Sequence, residues 1–378
     1  MPDPQFVDPP GVSSLTMLRP PSSNPISKYG HHLASGFVAA ADKNLVLLYA
    51  GFYRPASFDG CYLLFDAASS SLSTIPGIHR DNHTFSYRCA GYGTIIMSHE
   101  DGSFFLAELL FRFNRPGAGV PTGGKLYFMS SSSQKDWFIK DGDLPAQVCR
   151  TWKVHTSFSV RSRNLFCWVD FLHGLLLCDL RRYLNADSPV DLGMSFVPLP
   201  VGCSISEESH LSRNPQDFRT MACVDGTIKF LTIVGFMEAS PISLVTYALD
   251  LDGPSPSWTQ DTVLRLEDLW VDKTFTSMNV PRVRPMFPIL STQEHDVVYL
   301  VIARDPEYLD GYKVTRVNFM LSVDTRKARV ISADQQNCPR TLLSSRYLLA
   351  FNASQWVSAY HQLLMIQCEF LFVYLQLE

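Results

Sequence analysis

The sequence predicts an all-β fold, a β-propeller of about six four-stranded blades. Apolar segments are short and bounded by Gly, Asp, Asn and Pro, while long stretches of helical periodicity are scarce. Phe and Tyr, with 25 and 15 copies, favour sheet over helix. Two short patterns also recur at intervals of about 40–60 residues, as expected for blades. An irregular pair of β-sandwiches is the alternative.

The first recurring pattern is a turn that ends in Gly and leads directly into an apolar strand. It occurs at Asp59-Gly60, Asp101-Gly102, His173-Gly174 and Asp225-Gly226. Gly adopts positive φ without steric cost, so such turns favour hairpins. We expect the four turns to occupy equivalent places in the repeat and to point to the same end of the propeller.

The second pattern is an apolar strand that ends in Asp, a short polar link and another apolar strand. The terminal residues are Asp66, Asp179, Asp250 and Asp324, and a related fragment covers 137–145. The Asp side chain is expected to cap the turn by accepting backbone N–H groups. Together the two patterns predict about five repeats over 36–333. A sixth would come from 341–378, completed by a strand from the N-terminal segment.

The domain organisation predicted is a leader, a propeller and a tail. Residues 1–30 are rich in Pro and Ser and are expected to be partly disordered. Residues 31–355 form the propeller-like domain, and the apolar tail 356–378 closes the last blade. Because the tail carries His361, Gln362 and Glu369, we expect no membrane span, and we expect a cytoplasmic or nuclear protein.

Charge and cysteine content narrow the function classes. Lys+Arg 32 against Asp+Glu 36 gives a net charge of −4, which argues against a nucleic-acid partner bound through overall charge. None of the nine Cys residues forms a C-x-x-C pair. We therefore expect reduced, buried thiols rather than disulfides, and neither a metal nor a cofactor.

Three motifs resemble known sites but lack an essential feature. Residues 119–126 fit a phosphate-binding loop until Leu126, which replaces the required Ser or Thr. The Gly91-x-Gly93 pair has no third Gly in register and precedes a strand. Asp170, His173 and Cys178 are close in sequence, but a turn position for His173 predicts that the thiol lies far from the ring.

Five segments carry a resemblance to a known family. They cover 164–179, 196–200, 219–230, 266–270 and 281–291. In these segments the chain resembles domain-of-unknown-function family 1618, a plant family expanded in grasses. The resemblance implies a propeller like those of F-box-associated and kelch-like proteins, with no established activity and no catalytic residue.

The function we expect is a non-enzymatic protein-interaction scaffold, a monomer that binds an unidentified protein partner through its loops. The longer connections, 112–124, 202–217 and 271–285, are predicted to lie opposite the tight turns. Their charges suggest a polar interface rim, and the candidate partner-binding residues are Arg115, Glu207, Arg213, Arg282 and Arg284. The alternative is a hydrolase or lyase with its site at the channel mouth. The predicted core contains Trp168, Leu175, Leu177, Phe230 and Tyr299.

Overall fold

Antiparallel sheets make up nearly all of the structure, which is a computed structural model. It describes residues 2–5, 14–17, 35–51, 61–78, 91–112, 123–131, 137–148, 152–180, 193–205, 214–236, 241–292, 294–303, 307–309, 312–335, 341–342, 348–351 and 362–365. Strands β1 (Pro2–Gln5) and β2 (Ser14–Met17) pair with each other. The rest of the described chain is dominated by five four-stranded sheets in a propeller arrangement, which confirms the predicted fold class.

Each blade is built on four antiparallel strands, which are consecutive in the chain in blades 1 to 4, whereas in blade 5 a short extra strand lies between the second and the third. Blade 1 contains β3 (Ser35–Asp42), β4 (Leu45–Gly51), β5 (Cys61–Asp66) and β6 (Ser71–Ile75). Blade 2 contains β7 (Thr94–Ser98), β8 (Phe104–Arg112), β9 (Gly123–Ser130) and β10 (Phe138–Gly142). Blade 3 contains β11 (Thr156–Val160), β12 (Leu165–Asp170), β13 (Gly174–Asp179) and β14 (Met194–Pro198).

Blades 4 and 5 complete the set, and blade 5 has two additional short strands. Blade 4 contains β15 (Arg219–Val224), β16 (Thr227–Val234), β17 (Ser243–Asp250) and β18 (Ser257–Arg265). Blade 5 contains β19 (Met286–Leu290), β20 (Val297–Ala303), β22 (Tyr312–Asp324) and β23 (Arg329–Gln335). The long strand β22 also pairs with β21 (Glu307–Leu309) and β24 (Thr341–Leu342).

The first strands of the blades form an inner ring in the order β3, β7, β11, β15 and β19. A hairpin of β25 (Leu348–Phe351) and β26 (Gln362–Met365) lies between the last and the first blade, since β25 contacts both β19 and β3. Strand β2 contacts β26. The prediction of six four-stranded blades is therefore wrong in number: five are four-stranded, and a two-stranded hairpin occupies the remaining position in the described ring.

The helices of the described chain are short. Two 3-10 turns, η1 (Arg161–Arg163) and η2 (Pro215–Asp217), lie in connections. Two α-helices, α1 (Leu266–Val271) and α2 (Lys273–Ser277), connect blade 4 to blade 5. Asp272 is the N-cap of α2, and its carboxylate accepts the N–H of Thr274 at 2.7 Å.

The recurring Asp pattern marks the link between the third and fourth strands of a blade. Asp66 accepts the N–H of Ala68 at 3.0 Å, and Asp250 accepts that of Asp252 at 2.8 Å. Asp324 accepts the N–H of Lys327 at 2.9 Å. The predicted capping role is confirmed in blades 1, 4 and 5, because a carboxylate at the strand end satisfies backbone donors that the turn leaves unpaired.

The prediction that the Gly turns share one end of the propeller is wrong. Gly102 and Gly226, with φ of 82° and 79°, join first and second strands. Gly174 joins a second to a third strand, and successive turns of an antiparallel sheet lie at opposite ends. Glycine is needed at position 174 because the backbone of Val197 lies very close: a Cβ on residue 174 would be 2.2 Å from the carbonyl oxygen of Val197. The Asp59-Gly60 turn is outside the described residues.

These connections define two ends, named here by what they carry. The short-turn end holds the links from first to second and from third to fourth strands. The long-loop end holds the links from second to third strands and the connections between blades. All three predicted long connections begin and end at the long-loop end, by the order of their flanking strands.

The predicted core residues are all buried. Trp168, Leu175 and Phe230 are fully buried, and Leu177 and Tyr299 are nearly so. The indole of Trp168 packs in the cluster between blades 2 and 3 and donates its Nε1–H to the carbonyl of Gly93 at 2.6 Å. Outer strands are joined in a similar way, since Trp137 and Trp258 donate to the carbonyls of Pro76 and Pro198 in the preceding blades.

Trp168→Ala should lower the free energy of unfolding by about 3–5 kcal/mol, because it opens a cavity between two blades and removes a buried hydrogen bond. Chemical denaturation measures the loss. Phe138→Ala is the matched control, since that aromatic side chain is half exposed and should cost much less. Equal losses of unfolding free energy in the two variants would contradict a stabilising role for the packing of Trp168 between the blades.

Glu108, on β8, is a fully buried carboxyl group. It accepts the N–H of Gly91 at 2.5 Å and the hydroxyl of Thr94 at 3.4 Å. Burial raises its pKa to about 8, although the Gly91 hydrogen bond acts in the opposite direction. The folded protein therefore keeps this carboxyl protonated at neutral pH.

In the unfolded chain Glu108 releases its proton near the ordinary pKa of 4.5, whereas the folded protein holds the proton up to about pH 8. The free energy of unfolding should therefore fall as the pH rises from about 4.5 to about 8. The expected slope is up to roughly 1.4 kcal/mol per pH unit. Denaturation of the unaltered chain and of Glu108→Gln across this range measures the difference. Identical pH profiles for the two proteins would contradict the buried, protonated state.

Candidate functional site

A buried ionic cluster lies at the long-loop end of blade 3. Asp170 ends β12, His173 lies in the turn to β13, and His155 precedes β11. The carboxylate oxygens of Asp170 lie 3.0 Å from Nδ1 of His173 and 3.4 Å from Nδ1 of His155. Asp170 is fully buried, His155 is buried and His173 is half-buried.

Asp170 also binds backbone groups. It accepts the N–H of Lys153 at 2.7 Å and that of Leu172 at 2.8 Å. Burial alone would raise the pKa of Asp170, but the neighbouring His155 and His173 imidazoles together hold it well below its ordinary value. The carboxylate thus stays ionised and fixes the 152–155 connection to the 171–173 turn.

Blade 4 joins the same cluster through Arg219, a buried residue at the start of β15. Its guanidinium donates to the carbonyls of Phe171 and Cys203, the latter at 2.5 Å. Burial lowers the pKa of Arg219 to about 10, and the charge of Asp170 opposes that change. Nε2 of Gln216 donates to the carbonyl of His155 at 2.8 Å. The cluster therefore holds blades 3 and 4 together beneath the surface.

Of the trio considered in the sequence, the structure brings Asp170 and His173 together and leaves Cys178 apart. Cys178 lies opposite Phe166, near the other end of the β12–β13 pair. His155 and Arg219 were missed, because both reach the carboxylate region from elements distant in sequence. An Arg opening an otherwise apolar strand was the available signal for Arg219.

Exposed apolar side chains are concentrated at the long-loop end of blade 4 and in its flanking connections. The described chain has nine large hydrophobic residues with exposed side chains, and five of them are valines at this end. We name these five the blade-4 valine surface: Val201 (101% exposed), Val234 (49%), Val263 (50%), Val271 (72%) and Val283 (40%). The other four lie on fourth strands, in blades 1, 2 and 5.

Charged side chains accompany the blade-4 valine surface. Arg265, Lys273 and Arg282 are exposed in the same strand end and connection. Glu267 and Asp268 are exposed on α1. An apolar centre with mixed charges nearby is the composition of a polar-rimmed protein interface.

The predicted partner-binding residues have different environments. Arg282 is exposed, whereas Arg284 is half-buried, donates to the carbonyl of Phe236 and stacks on that ring at 5.3 Å. Arg284 therefore anchors the connection to blade 4. Arg115, Glu207 and Arg213 lie outside the described residues, and the assignment of all five to binding stays a prediction.

The short-turn end is held by ion pairs at its surface. Arg161 pairs with Asp42 of blade 1 at 2.5 Å, and Arg163 binds Asp252 of blade 4 through two contacts of 2.7 Å. In blade 5 a hydrogen bond from Arg326 lowers the pKa of Asp296. Such exposed pairs contribute little stability each and weaken with salt.

The segment that resembles a phosphate-binding loop is part of a β-strand. Gly123 to Leu126 lie within β9, so the phosphate-loop match continues as a strand, and Lys125 is 3.7 Å from Asp141. In the described ranges, no group of three His, Cys, Asp or Glu side chains is placed to hold a metal ion.

The part of the chain that the structure describes has no helix long and apolar enough to cross a membrane.

Comparison with known families gives a match to the central part of the chain. Residues 168–299 match the family described as protein of unknown function DUF1618, which confirms the resemblance over that segment. It runs from β12 of blade 3 to β20 of blade 5 and includes Asp170, Arg219 and all five residues of the blade-4 valine surface. No curated protein matches the sequence.

Several solved structures are similar at low identity. A chain of the mitotic checkpoint complex is 11% identical, with 84% of this chain and 75% of that chain covered and a TM-score of 0.34. AztD from Citrobacter koseri is 10% identical, with 79% and 57% covered and a TM-score of 0.33. A prolyl endopeptidase is 9% identical, with 81% and 50% covered and a TM-score of 0.30. These values carry no information about function.

Asp170→Ala should lower the free energy of unfolding by about 3–5 kcal/mol, because it leaves the His173 imidazole and two backbone N–H donors without their buried acceptor and removes the negative charge near the buried Arg219. Denaturant titration at neutral pH measures it. Asp252→Ala, which removes an exposed carboxylate from an ion pair, is the control and should change stability little. A loss for Asp170→Ala no larger than the control would contradict the role of the cluster.

Proposed function

We propose that the chain is a non-enzymatic protein-interaction scaffold that binds its partner at the blade-4 valine surface. The observation that carries this proposal is the concentration of five exposed valines at one end of one blade and its flanking connections. Exposed apolar side chains scattered singly need no explanation, but a concentration of them suggests an interaction site.

The buried cluster at the same end of the propeller supports the same function. Arg219 and Gln216 fix the start of blade 4 to blade 3, so the connection that carries Val201 is anchored through Cys203. A surface that is ordered before binding loses less conformational entropy when the partner docks. Rigid blades with recognition residues on their connections are the usual arrangement for binding sites on propellers.

The surface chemistry suits a partner that combines an apolar patch with acidic residues. Small branched side chains offer shallow apolar contacts, and Arg265, Lys273 and Arg282 can pair with carboxylates at the rim. A cytoplasmic or nuclear setting is part of the proposal, since none of the five cysteines within the described ranges is in a disulfide. A plant origin and a relationship to F-box-associated propellers are consistent with it.

Val271→Asp combined with Val283→Asp should abolish partner binding while leaving the fold intact, because both side chains are exposed and a charge would be buried without a partner in the complex. Quantitative affinity capture followed by mass spectrometry compares the variant with the unaltered chain. The control is Ile331→Asp, which makes the same kind of substitution at one exposed apolar residue on blade 5. Proteins captured by the control but lost from the double variant are the expected partners. The same captured set for all three proteins would refute the proposal.

Arg282→Glu and Arg284→Glu should separate binding from stability. Arg282 is exposed, so its reversal should weaken capture of the same partner with little change in thermal unfolding. Arg284→Glu removes the contacts with Phe236 and should lower the unfolding temperature. If both variants melt like the unaltered chain and capture the partner equally well, neither side chain has its assigned role.

A further inference from the structure

The turn between β17 and β18 is the feature that the proposed function does not use. It lies at the short-turn end of blade 4, opposite the blade-4 valine surface. Six consecutive residues, 252–257, are all exposed, and their sequence is Asp-Gly-Pro-Ser-Pro-Ser. Ser255 therefore stands between two prolines on a projecting, solvent-accessible turn.

The two prolines give Ser255 a particular local shape. Pro fixes its own φ, and a residue that precedes Pro is directed toward extended conformations. Pro256 also has no N–H, so the peptide bond after Ser255 can enter an apolar pocket without leaving a donor unpaired. A kinase that requires proline directly after its acceptor serine selects this arrangement.

The turn is connected electrostatically to blade 3. Asp250 accepts the N–H of Asp252 at 2.8 Å, which shapes the start of the turn. Asp252 in turn receives two hydrogen bonds of 2.7 Å from the guanidinium of Arg163, on η1. A cleft beside Arg163, lined also by Ser162, Asp225 and Thr227, is open to solvent.

We propose that Ser255 is a phosphorylation site for a proline-directed protein kinase, and that its phosphate competes with Asp252 for Arg163. In the transfer, the Ser255 hydroxyl oxygen bonds to the γ-phosphorus of ATP and the bond from that phosphorus to the β,γ-bridging oxygen breaks. ADP leaves, and the hydroxyl proton passes to the catalytic base of the kinase.

The charges of the turn support the second half of the proposal. A phosphate adds a charge of about −1.5 to −2 and three acceptor oxygens. Asp250 and Asp252 repel it, whereas the planar guanidinium of Arg163 suits two-point binding of phosphate as well as carboxylate. Because Arg163 belongs to blade 3, the modification alters a contact between two blades.

The first experiment treats the full chain with a purified proline-directed serine kinase and radiolabelled ATP with magnesium. Ser255→Ala and Pro256→Ala should each lose the incorporated label. Ser257→Ala is the matched control, since Ser257 is equally exposed but is followed by Trp258. It should retain the label of the unaltered chain. Label undiminished in Ser255→Ala, or located by mass spectrometry only at the Ser-Pro pairs of Ser188 or Ser240, would overturn the assignment.

The second experiment tests the link to Arg163 by thermal unfolding before and after phosphorylation. The unaltered chain should show a shift in unfolding temperature that Arg163→Gln lacks. A shift of equal size in both proteins, or none in either, would overturn competition for Arg163. Both experiments are independent of partner binding at the opposite end.

Discussion

The contact between the Asp170 carboxylate and its donors is the interaction on which the long-loop end of the molecule depends. A buried carboxylate is tolerated only where hydrogen bonds and opposite charge replace the lost water. Here the His173 imidazole and two backbone N–H groups hydrogen-bond the carboxylate, and the His155 ring, whose Nδ1 accepts the N–H of Phe171 at 3.2 Å, lies 3.4 Å away. The same carboxylate fixes the turn whose Phe171 carbonyl receives Arg219, so blade 4 takes its position from blade 3.

The two ends of the propeller are stabilised by different interactions: buried hydrogen bonds at the long-loop end and exposed ion pairs at the short-turn end. Bonds at the long-loop end are buried, so changes in salt concentration affect them little, which would keep the proposed recognition surface in place. Ion pairs at the short-turn end, such as that of Arg163 with Asp252, are open to water and to competing anions. The proposed recognition surface and the proposed phosphorylation site would therefore lie at opposite ends of blade 4.

Local signals in the sequence predicted the fold class well and the topology less well. Strand-ending aspartates such as Asp66 identified third and fourth strands, because the donors that they cap lie within a few residues. Gly174 was placed with Gly226 because both precede apolar strands. Its true constraint, the carbonyl of Val197, lies on a strand further along the chain. The predicted number of four-stranded blades was wrong for a related reason. Local patterns do not show how segments far apart in the chain pair with each other.

The candidate site shows the same limit at the level of single side chains. Arg282 and Arg284 are two residues apart and look equivalent in sequence, yet only Arg284 has Phe236, 48 residues away, within reach. The valines gave no signal, because a valine at a strand end is usually buried and becomes informative only when its exposure is known. A surface for recognition is defined by what the rest of the chain leaves uncovered. It therefore follows from the packing of all blades together, which no local segment of sequence specifies.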